Sequence, residues 1–480
     1  MRDPGSPQIW YTVENFGPIR HGELALAPLT IFIGPNGSGK TYMATLVYLF
    51  ARVMAAGVRP RWYEEWTVAE TPGESIIIPD MLTRQSQKRW QEWFSEIPSG
   101  VAVQIERLLP GYFGQESADP LAYGRSNSFQ IGFQRSEPPV SLHGKWHRSQ
   151  GWQWEWKGFD QIRLEVPTPS RLQDKRRPRL TWLDIYPTLF RALGLLGNTY
   201  FLPAARAGLL QGWRVLAGMA IRIVRREFGL RAIEATPYSG VVGDFLLTLV
   251  EPGPFPFLEE DIVVIETATG EVTIERAARE RGKNPALSFL EEDILHGYVD
   301  WISPEDPQLL FYQDGMRIPL TAVSSGLAEL APLDLLLRRG RPRRGDLLVI
   351  EEPEAHLHPE NQRRIATLMV RLARMGVYVL CTTHSDIILH QVSNHLLLGE
   401  ALQKGHEIPG FDPDLDRLDY DEVGVYLFKM EEGGSVIEPV RLEPGFGIPQ
   451  DEFVRVAEAI GSQTYALLDI LETAAEGSPR

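Results

Sequence analysis

Three short apolar runs, each ending abruptly at polar residues, are the most regular feature of the chain. They are LTIFI at 29–33, LLVI at 347–350 and VYVLC at 377–381. Continuous apolar runs of this length are typical of parallel strands that are covered on both faces. The segment TYMATLVYLFARVMAAG, after the first run, has helical spacing and ends near Gly57. Strands that alternate with helices predict an α/β fold with a mixed or mainly parallel sheet flanked by helices.

The rest of the pattern divides the chain around these runs. The middle region is rich in strand-like runs, and tryptophans alternate along 152–156. We expect an α+β insertion whose tryptophan face packs against another element, with stacking on single-stranded nucleic acid as the alternative. Glycines at 433–434 predict a hairpin, and helical spacing after Pro449 predicts a final helix packed on the core, with a helix that docks a partner as the alternative. The expected segments are 1–57 (N-terminal lobe), 58–307 (insertion), 308–400 (C-terminal lobe) and 401–480 (hairpin and helix).

Composition and charge narrow the class of protein. The 480 residues carry a net charge of −15 and a single cysteine, Cys381. One cysteine rules out a disulfide framework and fits a reducing compartment. No apolar run is long enough to span a membrane and the first ten residues lack an apolar signal core, so we expect a cytoplasmic protein without a membrane partner. The negative charge argues against coating of nucleic acid by the whole surface, but it is compatible with a local basic groove.

Residues 34–41, GPNGSGKT, fit the G-x-x-x-x-G-K-[ST] motif between the first apolar run and its helix. Glycines in such a loop let backbone N–H groups surround phosphates at the start of a helix. We expect Lys40 to reach the β- and γ-phosphates of ATP and Thr41 to ligate Mg²⁺. A chance motif in a glycine-rich turn is the alternative. The predicted nucleotide-binding residues are Gly34, Asn36, Gly37, Ser38, Gly39, Lys40 and Thr41.

The second apolar run ends in two adjacent acids, Glu351 and Glu352. A P-loop site needs an acidic strand end to hold Mg²⁺ and to orient water, and ligands bind at the carboxyl ends of parallel strands. We therefore assign Glu351 to Mg²⁺, through water, and Glu352 to the general base or water-orienting position. A divalent cation would compensate the repulsion between the two carboxylates. A solvated pair of loop acids is the alternative.

Two further polar groups lie at the ends of predicted elements. His384 follows the third apolar run, where it can hydrogen-bond a phosphate oxygen or the attacking water. An ordinary polar cap is the alternative there. Ser324, Ser325 and Gly326 precede a predicted helix that stops near Gly340. Hydroxyls with a glycine at a helix start form either an anion site or a plain N-cap.

The order of these motifs resembles the ABC-type ATPases of the SMC, RecF and OLD group. The similarity is carried by NFGPIRHGELALAPLTIFIGPNGSGKT, SSGLAELAPL, LLVIEEPEAHLHPENQ and LCTTHSD, with a weaker match at YFLPAARAG. It implies an ABC-type P-loop NTPase, use of ATP and Mg²⁺, and a head-to-head homodimer or a higher oligomer. The resemblance makes Ser324, Ser325 and Gly326 the signature motif, which in that family contacts the γ-phosphate bound by the other subunit. It also makes His384 the switch histidine and EAHLHPENQ the loop that crosses the dimer interface.

The sequence departs from the pattern of that family at several points. The signature reads SSGL rather than the fuller S-G-G-x form, and Gln130 and Gln134 are only candidates for the Q-loop glutamine. No heptad pattern persists over several repeats, which argues against a long coiled coil. No strand ending in Glu-Gly follows residue 385, and the acids within 411–422 are not flanked by an apolar strand. We therefore expect a solvated acidic loop there and no intrinsic nuclease.

The resemblance leaves two functions open. The first is an ATPase that acts on DNA in repair or antiphage defence, with the arginines of 174–179 and 338–344 and Arg222, Arg225 and Arg226 as candidate phosphate contacts. Solvated loops are the default interpretation of the two runs. The second is an ATP-gated scaffold or sensor that holds and regulates a separate effector protein, a nuclease or a toxin. DNA and an effector are thus the candidate partners besides a second copy of the chain.

Overall fold

Two long stretches and several shorter ones make up the described part of the chain. The computed structural model describes residues 9–56, 84–122, 126–136, 139–159, 196–204, 206–211, 240–250, 260–266, 272–278, 284–301, 309–406 and 408–476. Several residues singled out above lie outside these ranges. They are the arginine run at 174–179, Arg222, Arg225, Arg226 and Gly57, the predicted end of the first helix.

An eleven-stranded mixed sheet organises the fold. The strands of the chain are β1 (Ile9–Phe16), β2 (Ile19–Leu26), β3 (Leu29–Ile33), β4 (Ser128–Arg135), β5 (Val140–His147), β6 (Gly151–Lys157), β7 (Thr199–Leu202), β8 (Glu260–Glu266), β9 (Val272–Ala278), β10 (Tyr298–Trp301), β11 (Leu309–Gln313), β12 (Met316–Pro319), β13 (Leu347–Glu351), β14 (Tyr378–Thr382), β15 (Val423–Glu431) and β16 (Gly434–Pro439). The large sheet has the order β6-β5-β4-β1-β2-β16-β15-β3-β14-β13-β7. Strands β8 and β9 form a two-stranded sheet, and β10, β11 and β12 a three-stranded one.

Helices cover both faces of the large sheet. They are α1 (Lys40–Ala56), α2 (Arg84–Tyr112), α3 (Arg206–Gln211), α4 (Gly240–Val250), α5 (Pro285–Phe289), α6 (Ser325–Arg338), α7 (Pro359–Arg374), α8 (Asp386–Gln403) and α9 (Asp451–Glu476). In β13, Leu347 and Val349 pack in one core with α1, whereas Leu348 and Ile350 pack in a second core with α6, α7 and α8. Each such buried side chain stabilises the fold by about 1.5–3 kcal/mol. The predicted α/β fold, with a mixed sheet flanked by helices, is confirmed.

The order of the strands brings the three apolar runs of the sequence together. Strand β3 lies between β14 and β15 and runs parallel to both, with Ile31 opposite Cys381 and Val425. Strand β13 is parallel to β14 on its other side. The carboxyl ends of β3, β13 and β14 therefore lie at one edge of the sheet, where open α/β sheets bind ligands. We call this edge, with the loops that follow its strands, the nucleotide edge.

Part of the middle region extends the same sheet. Strands β4, β5 and β6 continue it beyond β1 with antiparallel pairing, and β7 is added at the opposite end beside β13. On β6, Trp152 and Trp154 stack with ring centroids 5.1 Å apart, and Trp154 Nε1 donates a hydrogen bond to Glu106 of α2. Packing against other elements therefore accounts for Trp152 and Trp154, whereas Trp156 is 41 % exposed. The segment boundaries at 57 and 307 stay predictions.

The predicted hairpin after residue 420 is confirmed, but the loop before it differs from the expectation. Strands β15 and β16 pair antiparallel across Gly433, whose φ of 90° favours glycine. The acidic segment 411–422 was expected to be a solvated loop. Instead, Asp416 is 3 % exposed and accepts hydrogen bonds from Arg371 of α7 at 2.7 and 3.1 Å. That part of the expectation is wrong, because a bidentate ion pair fixes the segment to α7.

The last helix, α9, differs from the expectation as well. It was predicted to pack on the ATPase core, and helical periodicity is present, but its side chains from residue 454 to 471 are exposed apart from Gly461. Its first turn contacts the core through Phe453. The exposed apolar side chains of α9 are Val454, Val456, Ile460, Tyr465, Leu467, Leu468, Ile470 and Leu471. Among the described residues, no helix combines the length and apolar character required to cross a bilayer.

Candidate functional site

The P-loop between β3 and α1 has a backbone that only glycine can adopt at two positions. Gly34 has a φ of 138°, and a Cβ there would lie 2.4 Å from the carbonyl oxygen of Phe428. Gly39 has a φ of 96°, and a Cβ there would lie 2.6 Å from Ile19. The β1–β2 turn and β15 therefore press directly on the loop. Gly37, with a φ of 75°, faces open space, as a loop that surrounds a ligand requires.

Lys40 begins α1 and points back into the loop. Its Nζ donates hydrogen bonds to the carbonyl oxygens of Gly34 and Pro35, both at 2.8 Å. Ser38 is buried, and its Oγ donates to Pro35 at 2.8 Å, whereas Asn36 is exposed. Burial lowers the pKa of Lys40 to about 8, against the opposing charges of Glu352 and Glu354. An anion that enters the loop would compete with the two carbonyls for a cation at the N-terminus of a helix.

Glu351 closes β13 beside the start of α1. One carboxylate oxygen, Oε2, accepts a hydrogen bond from the backbone N–H of Ala204 at 3.3 Å. Burial raises the pKa of Glu351, and the nearby hydroxyl of Thr41 opposes the rise. The other oxygen, Oε1, is buried and has no hydrogen-bond partner within the described part of the chain. A buried carboxylate oxygen without a partner, next to a threonine hydroxyl, fits an oxygen donor set for Mg²⁺.

Glu352 has a backbone conformation that is rare for a residue other than glycine. Its φ is 43°, and its N–H donates to the carbonyl oxygen of Thr382 at 2.9 Å. A left-handed conformation costs about 1–3 kcal/mol and is retained where the surrounding structure imposes it. Here it turns the chain away from the strand direction directly after Glu351. The second carboxylate is thus presented toward Lys40, whose pKa it raises.

His384 and a third carboxylate, Glu354, complete this edge. Glu354 Oε1 accepts hydrogen bonds from Thr383 Oγ1 at 2.8 Å and from the backbone N–H of His384 at 2.7 Å. Burial, and then the charge of Lys40, lower the pKa of His384, so a neutral imidazole is favoured at pH 7. The sequence interpretation missed Glu354. Its signal was a carboxylate two residues after the acidic pair, within a loop that was assigned to the dimer interface.

Ser324, Ser325 and Gly326 lie at the start of α6. Ser324 is the N-cap, and its Oγ accepts a hydrogen bond from the N–H of Leu327 at 3.4 Å. Both serines are exposed, and a Cβ on Gly326 would lie 2.9 Å from the carbonyl oxygen of His356. The motif therefore packs against the loop that follows the acidic pair, with its hydroxyls toward solvent. This geometry satisfies the N-cap interpretation and leaves room for an anion at the helix start.

Arg206, at the start of α3, is the main residue that the sequence interpretation did not single out. It lies in the YFLPAARAG segment, is 1 % exposed, and its Nε is 3.1 Å from Glu329 Oε2. Its Nη1 also donates to the carbonyl oxygen of Glu351 at 2.8 Å. Arg206 and Glu329 are far apart in sequence, and the segment around Arg206 has no local motif. Only the weak family match at YFLPAARAG therefore pointed to this residue.

Other candidate residues lie away from the nucleotide edge or are engaged elsewhere. Gln130 and Gln134 are exposed on β4, and Gln130 Nε2 donates to Glu14 at 2.7 Å, toward the neighbouring strand rather than the P-loop. In the run 338–344, Arg338 is paired with Glu291, and Arg339 donates to the backbone of α4. Among the described residues, no group of three or more His, Cys, Asp or Glu side chains could hold a metal ion.

One family model matches the chain. Its description is "AAA domain, putative AbiEii toxin, Type IV TA system", and it covers residues 288–390, less than half of the chain. The matched range includes Ser324–Gly326, Glu351, Glu352 and His384 but not the P-loop. The match confirms the resemblance to P-loop ATPases of this broad class. No curated protein matches the chain.

Solved structures of SMC head domains are similar to the chain over most of its length. A crystal structure of an Smc head bound to the C-winged helix domain of ScpA has 10% identity and a TM-score of 0.41, and covers 90% of this chain and 98% of its own. The SMC head domain from Thermotoga maritima has 11% identity, a TM-score of 0.37 and coverage of 91% and 99%. An Smc head from Pyrococcus furiosus, bound to the C-terminal domain of ScpA, has 11% identity, a TM-score of 0.40 and coverage of 95% and 99%. The fold assignment rests on the sheet order and the P-loop, because these TM-scores are below 0.5.

Proposed function

We propose that the chain binds ATP with Mg²⁺ at the nucleotide edge and hydrolyses it. The observation that carries this proposal is that two groups lie at the same edge of the sheet. One is the buried P-loop lysine, Lys40, and the other is a buried carboxylate oxygen of Glu351 that has no hydrogen-bond partner within the described residues. A lysine at the start of a helix suits the phosphates, and a hard oxygen donor suits the metal ion that accompanies them.

Each side chain has a distinct role in this proposal. Lys40 and the loop N–H groups of Gly34, Asn36, Gly37, Ser38 and Gly39 hold the phosphates, and Thr41 and Glu351 hold Mg²⁺, which neutralises phosphate charge. Glu352 orients the attacking water and accepts its proton. His384, favoured as a neutral imidazole, hydrogen-bonds the γ-phosphate or that water. Glu354 acts on His384 indirectly, because it fixes the backbone N–H of that residue.

ATP turnover by three purified proteins tests this proposal. The wild type should release phosphate in the presence of Mg²⁺, and Lys40→Ala should abolish release. Lys429→Ala removes a half-exposed lysine from β15 and is the matched control, which should retain wild-type turnover. Equal turnover by the wild type and Lys40→Ala would show that the P-loop is not the hydrolytic site.

We further propose that two copies bind ATP head to head. The exposed hydroxyls of Ser324 and Ser325 support this arrangement, because they face solvent at a helix start rather than being buried by their own chain. Sedimentation of Glu352→Gln with and without Mg-ATP tests it, since ATP that is bound but not hydrolysed should hold the dimer together. A sedimentation coefficient that does not change with saturating ATP contradicts it.

The cellular role that we propose is action on DNA, in repair or antiphage defence. The resemblance to the SMC, RecF and OLD group and the basic run at 338–344 support it. Arg344, which is exposed, is the better probe of that run, since Arg338 and Arg339 make contacts within the fold. Substitution of Arg344 by alanine should weaken DNA binding and flatten its salt dependence. Absence of DNA binding in every nucleotide state contradicts this role.

The alternative is an ATP-gated scaffold that holds a separate effector protein, a nuclease or a toxin. The exposed apolar side chains of α9 favour it, because a helix of this kind is a common site for a protein partner. ATP turnover that is indifferent to DNA, together with co-purification of one defined protein from the native cell, supports the scaffold. Retention of that protein by Ile460→Ser and Leu467→Ser would show that α9 does not hold it.

A further inference from the structure

Arg206 joins three parts of the chain that are far apart in sequence. Its guanidinium is buried between α6 and the end of β13. Toward α6, Nε donates to the carbonyl oxygen of Glu329 at 2.8 Å and lies 3.1 Å from the Glu329 carboxylate. Toward β13, Nη1 donates to the carbonyl oxygen of Glu351 at 2.8 Å, and Nη2 donates to that of Glu352 at 3.4 Å. A single planar group thus connects a helix to the backbone that presents both acids of the nucleotide edge.

The charges around Arg206 make this connection specific. Four carboxylates are close enough for their charges to raise the pKa of Arg206. They are those of Glu329, Glu354, Glu351 and Glu352. Burial lowers the pKa of Arg206, and burial raises the pKa of Glu329, although each group opposes the shift of the other. Breaking such a pair by removal of one partner leaves a buried charge uncompensated, which is strongly unfavourable. Movement of α6 away from β13 would separate these buried groups and is therefore unfavourable.

The same helix carries the signature residues. Glu329 lies one turn after Ser325 on α6, so a displacement of the helix start moves Glu329 with it. Gly326 adds a second contact, because its Cα is close enough to the His356 carbonyl that a Cβ would lie 2.9 Å away. Helix α6 is thus fixed to the acidic strand end and to the loop after it.

We propose that Arg206 is a positioning residue, which transmits the position of the signature helix to the backbone of Glu351 and Glu352. Contact of Ser324 and Ser325 with a phosphate bound by a second copy would then set the geometry of the acids in the first copy. This inference rests on the proposed ATPase function. It assigns Arg206 no contact with the reacting atoms.

The competing explanation is that Arg206 only compensates the negative charge of the nearby carboxylates. A substitution that keeps the charge but changes the shape of the side chain distinguishes this explanation from the positioning role. A lysine at 206 keeps the positive charge but cannot donate from a planar fork to the Glu329 and Glu351 carbonyls together. A counter-charge predicts that Arg206→Lys is nearly neutral. A positioning role predicts loss of turnover with retention of ATP binding, because a small misplacement of catalytic groups lowers the rate of the chemical step.

The test compares Arg206→Lys with Arg371→Lys. Arg371 also makes a bidentate contact with a buried carboxylate, that of Asp416, in the loop after α8, and serves as the matched control. Arg206→Lys should bind ATP within about threefold of the wild type and lower kcat on the order of tenfold to a hundredfold. Arg371→Lys should change neither. Equal kcat values for the two variants overturn the proposal.

Glu329→Gln keeps the test decisive if Arg206→Lys does not fold. It preserves the shape of the side chain and the backbone carbonyl that accepts from Arg206 Nε, and it removes only the charge. A positioning role predicts a kcat near that of the wild type, because the hydrogen bonds of the guanidinium to the Glu329 and Glu351 carbonyls remain. A counter-charge role predicts a large loss of kcat, and that result overturns the proposal.

Hydrogen exchange of the protein without nucleotide gives a readout that does not depend on activity. Arg206→Lys should speed exchange in both 324–338 and 351–358, and Arg371→Lys should speed neither. Unchanged exchange in either segment overturns the positioning role. If the wild type itself hydrolyses no ATP, the proposed function fails, and the exchange comparison still decides whether Arg206 links the two segments.

Discussion

Helices α1 and α9 both contain many apolar residues, but their surroundings in the structure are opposite. From Met43 to Ala55, α1 is buried at every described position except Arg52, which is partly buried. Along α9, from residue 454 to 471, the side chains are exposed apart from Gly461. Periodicity therefore identifies both helices correctly, but it does not say whether the chain itself provides a cover. Helix α1, which starts at the nucleotide edge, is held on all sides by the fold. Helix α9 has an apolar surface that the described part of the chain does not cover.

The connections on either side of the two helices explain the contrast. A six-residue loop, 34–39, joins β3 to α1, so α1 must lie against the sheet that contains β3. Helix α9 instead follows β16 through a longer irregular segment, 440–450, so no short loop holds it against the sheet. A long helix without a sheet partner needs another surface to bury its apolar side chains. The sequence signal for packing is thus the strand–loop–helix unit rather than the helix alone.

The largest expected effect concerns ATP turnover, which should depend on a carboxylate at the nucleotide edge but not on one in α9. Glu352→Gln should lower ATP turnover by about 10²–10⁴-fold while ATP still binds, because it removes a group that acts on the attacking water. Glu458→Gln, on the exposed surface of α9, is the matched control and should have no effect. Phosphate release and equilibrium ATP binding measure the two quantities. Similar turnover for the two variants would mean that Glu352 is not the base or water-orienting group.

A second contrast concerns stability. Leu46→Ala on α1 should lower the free energy of unfolding by about 2–5 kcal/mol, because it leaves a cavity in a close-packed core. Leu467→Ala on α9 should change it by no more than about 0.5 kcal/mol, since that side chain is 55 % exposed. Urea titration followed by circular dichroism measures both changes. A large loss for Leu467→Ala would show that α9 is covered in solution.

The smallest expected effect is a pH dependence of ATP affinity, which comes from Lys40 at the start of α1 and not from α9. Lys40 has a pKa of about 8 without nucleotide, and phosphates raise it, because they favour the charged form. ATP affinity should therefore be constant well below pH 8 and fall about tenfold per pH unit above it, until the pKa of the complex is reached. Titration calorimetry between pH 7 and 9.5 measures this, with Lys40→Arg as the control that stays charged. An affinity that is flat across this range contradicts the role of Lys40.

The sequence predicted the local parts of the candidate site and missed its long-range parts. The P-loop, the end of β13 and His384 were placed at one edge, because each motif lies directly after an apolar run that forms a parallel strand. Arg206 and Glu354 were missed, since their partners Glu329 and His384 lie 123 and 30 residues away. The roles of these residues stay predictions.

The fold divides in the same way. The α/β class and the hairpin at Gly433 follow from local patterns, and both are confirmed. The exposure of α9 and the ion pair of Asp416 with Arg371 depend on which surfaces meet, which periodicity does not encode. Strands β4, β5 and β6 likewise join the P-loop sheet through pairing with β1, far from them in sequence.

Mixing two inactive variants tests most directly the central claim that each ATP site takes its P-loop from one copy and its signature from another. Lys40→Ala removes the P-loop function, and Ser325→Arg blocks the exposed signature without disturbing the core. In a head-to-head dimer, one mixed site keeps both halves intact. Random mixing should then restore about a quarter of wild-type turnover, because half of the dimers are mixed and each has one complete site. If no mixing ratio restores turnover, the two-copy site is wrong.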